Sequence, residues 1–118
     1  MTNRNGHSAS TAMLDNDAFI KAASVGDTVL VGSTTHTVIK KRFTESNDTI
    51  TRYFVEIDLN PGLNYKTSQS ISANEYLALL TPGNLVRIGP ANYVVENTEF
   101  VKDDNGAQIR RVNWHPEE

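Results

Sequence analysis

No cysteine occurs anywhere in the 118 residues, so neither a disulfide framework nor a thiolate metal site can be built. Histidine is scarce as well. His7, His36 and His115 share no ligand-like spacing, and a zinc or iron centre is not expected. No apolar run approaches the roughly 18 residues that cross a bilayer. The opening "MTNRNGHSAS" lacks the apolar core of a signal peptide, so an intracellular, soluble product is expected. Apolar residues make up 38%, below the globular average, which predicts a thin core. A net charge of −3 sets up no overall field for nucleic acid or an acidic membrane and leaves only local basic patches.

Catalytic signatures are missing too. The serines have neither a nucleophile elbow nor a His partner with an orienting carboxylate. Gly26 and Gly32 read as turn residues rather than a phosphate loop. Asp103-Asp104-Asn105-Gly106 clusters oxygens as calcium requires, but without a distal bidentate Glu it reads as a hairpin tip. A non-enzymatic protein without cofactor or metal is expected.

What is present is a mainly β pattern with short helices. Residues 1–14 are polar and read as a flexible arm, either a disordered end or one that orders on a neighbouring subunit. In "DNDAFIKAASVGD", Asp15 or Asp17 can cap a helix whose stripe is Phe19, Ile20 and Ala23. Three strands follow, the third placing Tyr53, Val55, Ile57 and Leu59 on one face. His36 falls at a half-exposed strand position. Residues 60–71, with Pro-Gly, read as a linker. The series then restarts. Ser72 and Glu75 have the capping-box spacing, and Tyr76, Leu77, Leu79 and Leu80 form an apolar side. Asn105-Gly106 signals a last hairpin in which both central residues take positive φ.

An offset of 57 residues superimposes the two series without a gap. Gly26 meets Gly83, Val29 meets Val86, Gly32 meets Gly89, and Val38 meets Val95. Phe43 meets Phe100, Val55 meets Val112, Phe19 meets Tyr76, and Ile57 meets Trp114. The matches are glycines at turns or apolar residues at expected core sites, where a shared backbone constrains them. The expectation is an internal duplication. Unit one spans 15–59 and unit two 72–118, each a helix plus three strands. Three strands alone are marginal in water. Two units closing as a pseudo-twofold barrel or sandwich with one core are therefore expected, rather than two separate mini-barrels.

Two basic hairpins are the candidate interaction sites. Lys40, Lys41 and Arg42 face Arg52, with Tyr53 and Phe54 beside them. Arg110 and Arg111 lie near Trp114 at the corresponding place in unit two. Basic strands interleaved with aromatics hold single-stranded nucleic acid in small barrels. Glu45, Glu56, Glu96 and Glu99 lie nearby, and alternating charge also serves solubility, edge protection or a protein contact. Trp114, Tyr65 and Tyr93 are the expected interface anchors, with core as the competing role for each and the favoured one for Trp114, which aligns with Ile57.

The short helices ending in "SVGD" and "TPGN", each followed by tight strands, together with the cysteine-free, Asn/Thr/Ser-rich composition, resemble the small SH3-like β-barrel proteins of tailed-bacteriophage virions. The resemblance covers residues 15–114. It implies a structural subunit of neck, tail, baseplate or capsid that assembles with other protein subunits in the virion. It assigns no individual residue a role. The alternative is a small-barrel nucleic-acid-binding protein acting through the basic hairpins.

Overall fold

In a computed structural model, residues 9–117 are described. They form two short helices, each followed by a run of strands: α1 (Asn16–Ala22), β1 (Thr28–Val31), β2 (Thr34–Asn47), β3 (Thr51–Asn60), β4 (Leu63–Lys66), α2 (Ala73–Leu79), β5 (Leu85–Ile88), β6 (Ala91–Lys102) and β7 (Gln108–Pro116). The fold is mainly β, as the alternation of apolar and polar residues predicts. Among the described residues no helix is long and apolar enough to cross a membrane.

Capping starts both helices at the expected positions. The Asp15 carboxylate accepts from the Ala18 N–H at 2.8 Å, and the Ser72 hydroxyl accepts from the Glu75 N–H at 3.0 Å. Each helix then runs into a positive-φ glycine, Gly26 (+98°) or Gly83 (+90°), where the chain reverses into a strand. Gly26 N–H donates to the Val38 carbonyl and Gly83 N–H to the Val95 carbonyl. These contacts recur at the offset of 57, and so do the helix bounds and the start of each strand from β1 to β3 and from β5 to β7.

The strands form one sheet in the order β4-β3-β2-β5-β6-β7, with β1 paired to β2 off this path. Sequence reasoning expects closure into a barrel or sandwich, whereas the path is open, ending at β4 and β7. One edge of β2 pairs with β3 from Thr37 to Asn47. The other is shared: β1 lies antiparallel along Thr34–Thr37, and β5 lies parallel along Arg42–Glu45. β4 falls inside the segment read as linker. Leu63 and Tyr65 alternate with Asn64 and Lys66 and pair along the far edge of β3, but four residues after Pro-Gly give little periodicity to detect.

A bulge between Val38 and Lys40 decides which side chains reach the core. Val38 and Phe43 are five residues apart, so an uninterrupted strand would point them to opposite faces. With Ile39 and Lys40 both turned outward at the bulge, Val38, Lys41 and Phe43 all face inward. The matching bulge in β6 lies between Val95 and Asn97.

The core gathers Ile20, Phe43, Val55, Ile57, Leu80 and Val86, drawing on both halves of the chain. Tyr76 of α2 stacks on Tyr53 at 4.5 Å and lies 6.0 Å from Phe43, so the second helix covers the β2–β3 hairpin. Two local expectations are corrected. His36 is buried, with Nδ1 2.6 Å from the Pro61 carbonyl, because the chain after β3 folds back over it. At the β6–β7 tip only Gly106 takes positive φ. The Asp103 carboxylate accepts from the Asn105 and Ala107 N–H groups and holds a longer loop than a two-residue turn.

Candidate functional site

The two hairpins have matching backbones and opposite surroundings. In β2–β3 the inward-facing apolar residues, Val38, Phe43, Val55, Ile57 and Leu59, are enclosed in the core that α1, α2 and β5 help to form. In β6–β7 the strands beyond the second bulge stand out from the core, and Phe100, Val101 and Ile109 are exposed. Phe43 is 0% exposed, while Phe100, which aligns with it, is 72% exposed. Phe100 is thus a surface residue, not the core residue that alignment with Phe43 predicts. Its pairing as a β6 residue is intact; what differs is that no helix covers it.

This hairpin also carries an unpaired edge. β6 pairs with β5 through Ala91–Val94, but from Asn97 to Lys102 only β7 pairs with it among the described residues. The outer edge of β1 is likewise unpaired among them. Such edges accept further strands through their free N–H and C=O groups.

The predicted basic residues divide. Lys40 is exposed at the bulge, and Arg52 is exposed at the start of β3 opposite Ser46. Lys41 is buried, and its Nζ donates to the Lys21 and Ala23 carbonyls at 2.7 Å each, capping the C-terminus of α1. Burial pushes the Lys41 ammonium pKa down, opposed by the Asp27 carboxylate. Arg42 pairs with Glu56 at 3.1 Å. Lys40, Lys41 and Arg42 therefore do not form one cationic face.

On the second hairpin, Arg110 donates to the Leu80 carbonyl at 2.6 Å, and its guanidinium lies 4.7 Å from the Phe100 ring centre. Leu80 aligns with Ala23, so a cation caps each helix, drawn from a different strand in each half. Arg111 pairs with Glu99 at 2.8 Å. Tyr93 and Trp114 are half-buried together, ring centres 6.1 Å apart, at the base of this hairpin. Tyr65 is remote from them, edge-on to Phe19 at 5.7 Å. The structure thus pairs Tyr93 with Trp114, sets Arg110 against Phe100 and Arg111 against Glu99 farther along the same hairpin, and leaves Tyr65 with the first half.

Sequence reasoning missed Phe100, Val101 and Ile109 as surface residues. Their alternation with polar residues is that of an ordinary half-buried strand, and it carries no local signal of which residues a helix covers. Among the described residues no group of three His, Asp or Glu side chains could hold a metal ion. What this region offers chemically is apolar area, aromatic rings and free backbone donors and acceptors. No protein-family model matches the chain, and neither a curated protein nor a solved structure matches it.

Proposed function

We propose that the chain is a non-enzymatic structural or adaptor subunit that assembles with other protein subunits through its strand edges and its projecting hairpin. The observation that carries this reading is the β6–β7 hairpin, with exposed Phe100, Val101 and Ile109 beside an unpaired edge. Exposed apolar residues beside a free edge form a surface suited to strand addition and burial against a partner. The common offset of bounds, caps, glycines and bulges supports an internally duplicated helix-plus-three-strand unit, with two similar but unequal faces. On its resemblance to small barrel proteins of tailed-phage virions, we read such a subunit as a component of a neck, tail, baseplate or capsid.

Light scattering on the purified chain, over a range of concentrations and at two salt levels, tests the reading. Assembly through apolar and backbone contacts gives a mass above that of one chain, nearly indifferent to salt. Phosphate binding weakens steeply with salt because counterions are released. A chain that stays monomeric at every concentration and binds single-stranded nucleic acid only at low salt would overturn the proposal.

A further inference from the structure

The contact between the two halves has three parts. β5 adds in parallel to β2, with Arg42 opposite Leu85 and Glu45 opposite Ile88. Tyr76 of α2 lies on Phe43 and Tyr53. Residues 67–71 fill the groove between α1 and the start of β3. There the Ser68 and Gln69 N–H groups donate to the Asp17 carboxylate, and Ile71 N–H donates to the Tyr53 carbonyl at 2.8 Å.

Each part has a counterpart at the offset of 57, and each counterpart is unused among the described residues. β1 aligns with β5 and has a free outer edge. Residues Glu99–Lys102 of β6 align with the part of β2 that receives β5, and they too are unpaired on that side among the described residues. The groove in the second half, lined by Asn74, Leu77, Gln108, Ile109 and Arg110, is an open cavity of about 420 Å³. The segment that aligns with residues 67–71 is residues 10–14, which lies exposed: Leu14 is 56% exposed, whereas its counterpart Ile71 is 7% exposed.

This asymmetry fixes the kind of contact. In a closed twofold arrangement, if β5 pairs with β2 then β1 must pair with β6. It does not: among the described residues β1 pairs only with β2, and Phe19 meets Tyr65 rather than Phe100. The halves therefore meet head to tail, and a head-to-tail contact leaves one donor face and one acceptor face unsatisfied at the two ends.

We infer that the partner for both ends is a second copy of this chain, docked by the joint that links its own halves; the inference rests on the assembly reading above. β1 of one copy adds in parallel to β6 of the next, with Thr28 opposite Glu99 and Val31 opposite Lys102. Phe19 covers Phe100 and Arg110 as Tyr76 covers Phe43 and Tyr53. Leu14 enters the groove beside Arg110 as Ile71 lies beside Tyr53. At the internal joint the helices approach through a Lys21–Glu75 ion pair of 3.2 Å. Their counterparts are Ala78 and Ala18, two small residues that let the helices approach without a buried charge. Repetition gives a ring if the rotation closes and a filament if it does not.

Two variants of the full chain test this. Phe100→Asp removes the acceptor face, and the double variant Leu14→Asp/Val31→Lys removes the donor face, placing a second lysine opposite Lys102. The substituted residues are all exposed in the isolated chain. By light scattering, the unaltered chain is expected to grow with concentration and each variant alone to stay at the mass of one chain. An equimolar mixture of the two should reach the mass of two chains and stop, because only one intact joint can form. Unaltered chain that assembles with the same mass in both variants would overturn this joint and leave the assembly reading standing. Variants that are each monomeric but fail to pair when mixed would overturn the head-to-tail arrangement. An unaltered chain that is monomeric at every concentration would overturn self-assembly, and partners of a different sequence would then carry the assembly reading.

Discussion

Asp17 and Lys41 hold opposite ends of α1, each by satisfying backbone groups that the helix and its neighbours leave open. The Asp17 carboxylate accepts from the Ser68 and Gln69 N–H groups, and these bonds, Ser68 first, hold its pKa below the usual carboxylate range. A carboxyl whose folded-state pKa is depressed contributes stability that is fully present above its unfolded value and is lost as pH falls through the folded value. Asp17→Asn should therefore lower the melting temperature at neutral pH, and the gap to the unaltered chain should close as the solution is acidified below pH ~3.8, the unfolded value. An unchanged gap across that range would show that the carboxylate's charge is not what matters. Lys41 shows what a linear reading conceals. Three cations in a row suggest a charged surface, yet alternation and the bulge turn the middle one inward to the helix carbonyls. The cap at Ser72 was legible because its partner lies three residues away; the cap at Lys41 was not, because its partners lie about twenty residues away.

Strands and helices repeat where their environments do not. Phe43 and Phe100 occupy corresponding places in β2 and β6, so the same substitution at each separates backbone from burial. Phe43→Ala should cost about 3–5 kcal/mol, from lost burial and the cavity left behind. In the monomeric chain Phe100→Ala should cost under about 0.5 kcal/mol, as for an exposed site. Urea unfolding of both variants at low protein concentration measures the difference, and comparable losses would mean that the second hairpin is also enclosed in solution. Local pattern located α1, α2 and the long strands because caps, glycines and alternation act within a few residues. It did not locate β4, whose four residues are held by pairing with β3. It also placed Phe100 in the core, because alignment transfers a backbone position and not the helix lying over it.

At the scale of the whole molecule, order is expected to be uneven. β2 is paired on both edges for much of its length and backed by both helices, whereas β6 beyond Val95 is paired on one edge and exposed. Amide hydrogen exchange in dilute solution should be slowest in β2 and β3 and much faster in Asn97–Lys102. Uniform protection would count against a projecting hairpin. A mainly β fold was readable from composition and period. The open path was not, because closure depends on whether β1 reaches β6, a contact between residues about seventy apart that no local pattern encodes.

β5 is four residues long and is hydrogen-bonded on both sides, to β2 in the first half and to β6 in the second. With Val86 fully buried, it forms with β2 the junction between the two halves of the sheet. Part of the free energy that couples the melting of one half to the other passes through this strand, beside the contacts of Tyr76 and of residues 67–71, as nearest-neighbour terms couple successive units of a repeat protein. Weakening β5 would uncouple the two halves, so that a single unfolding transition separates into two.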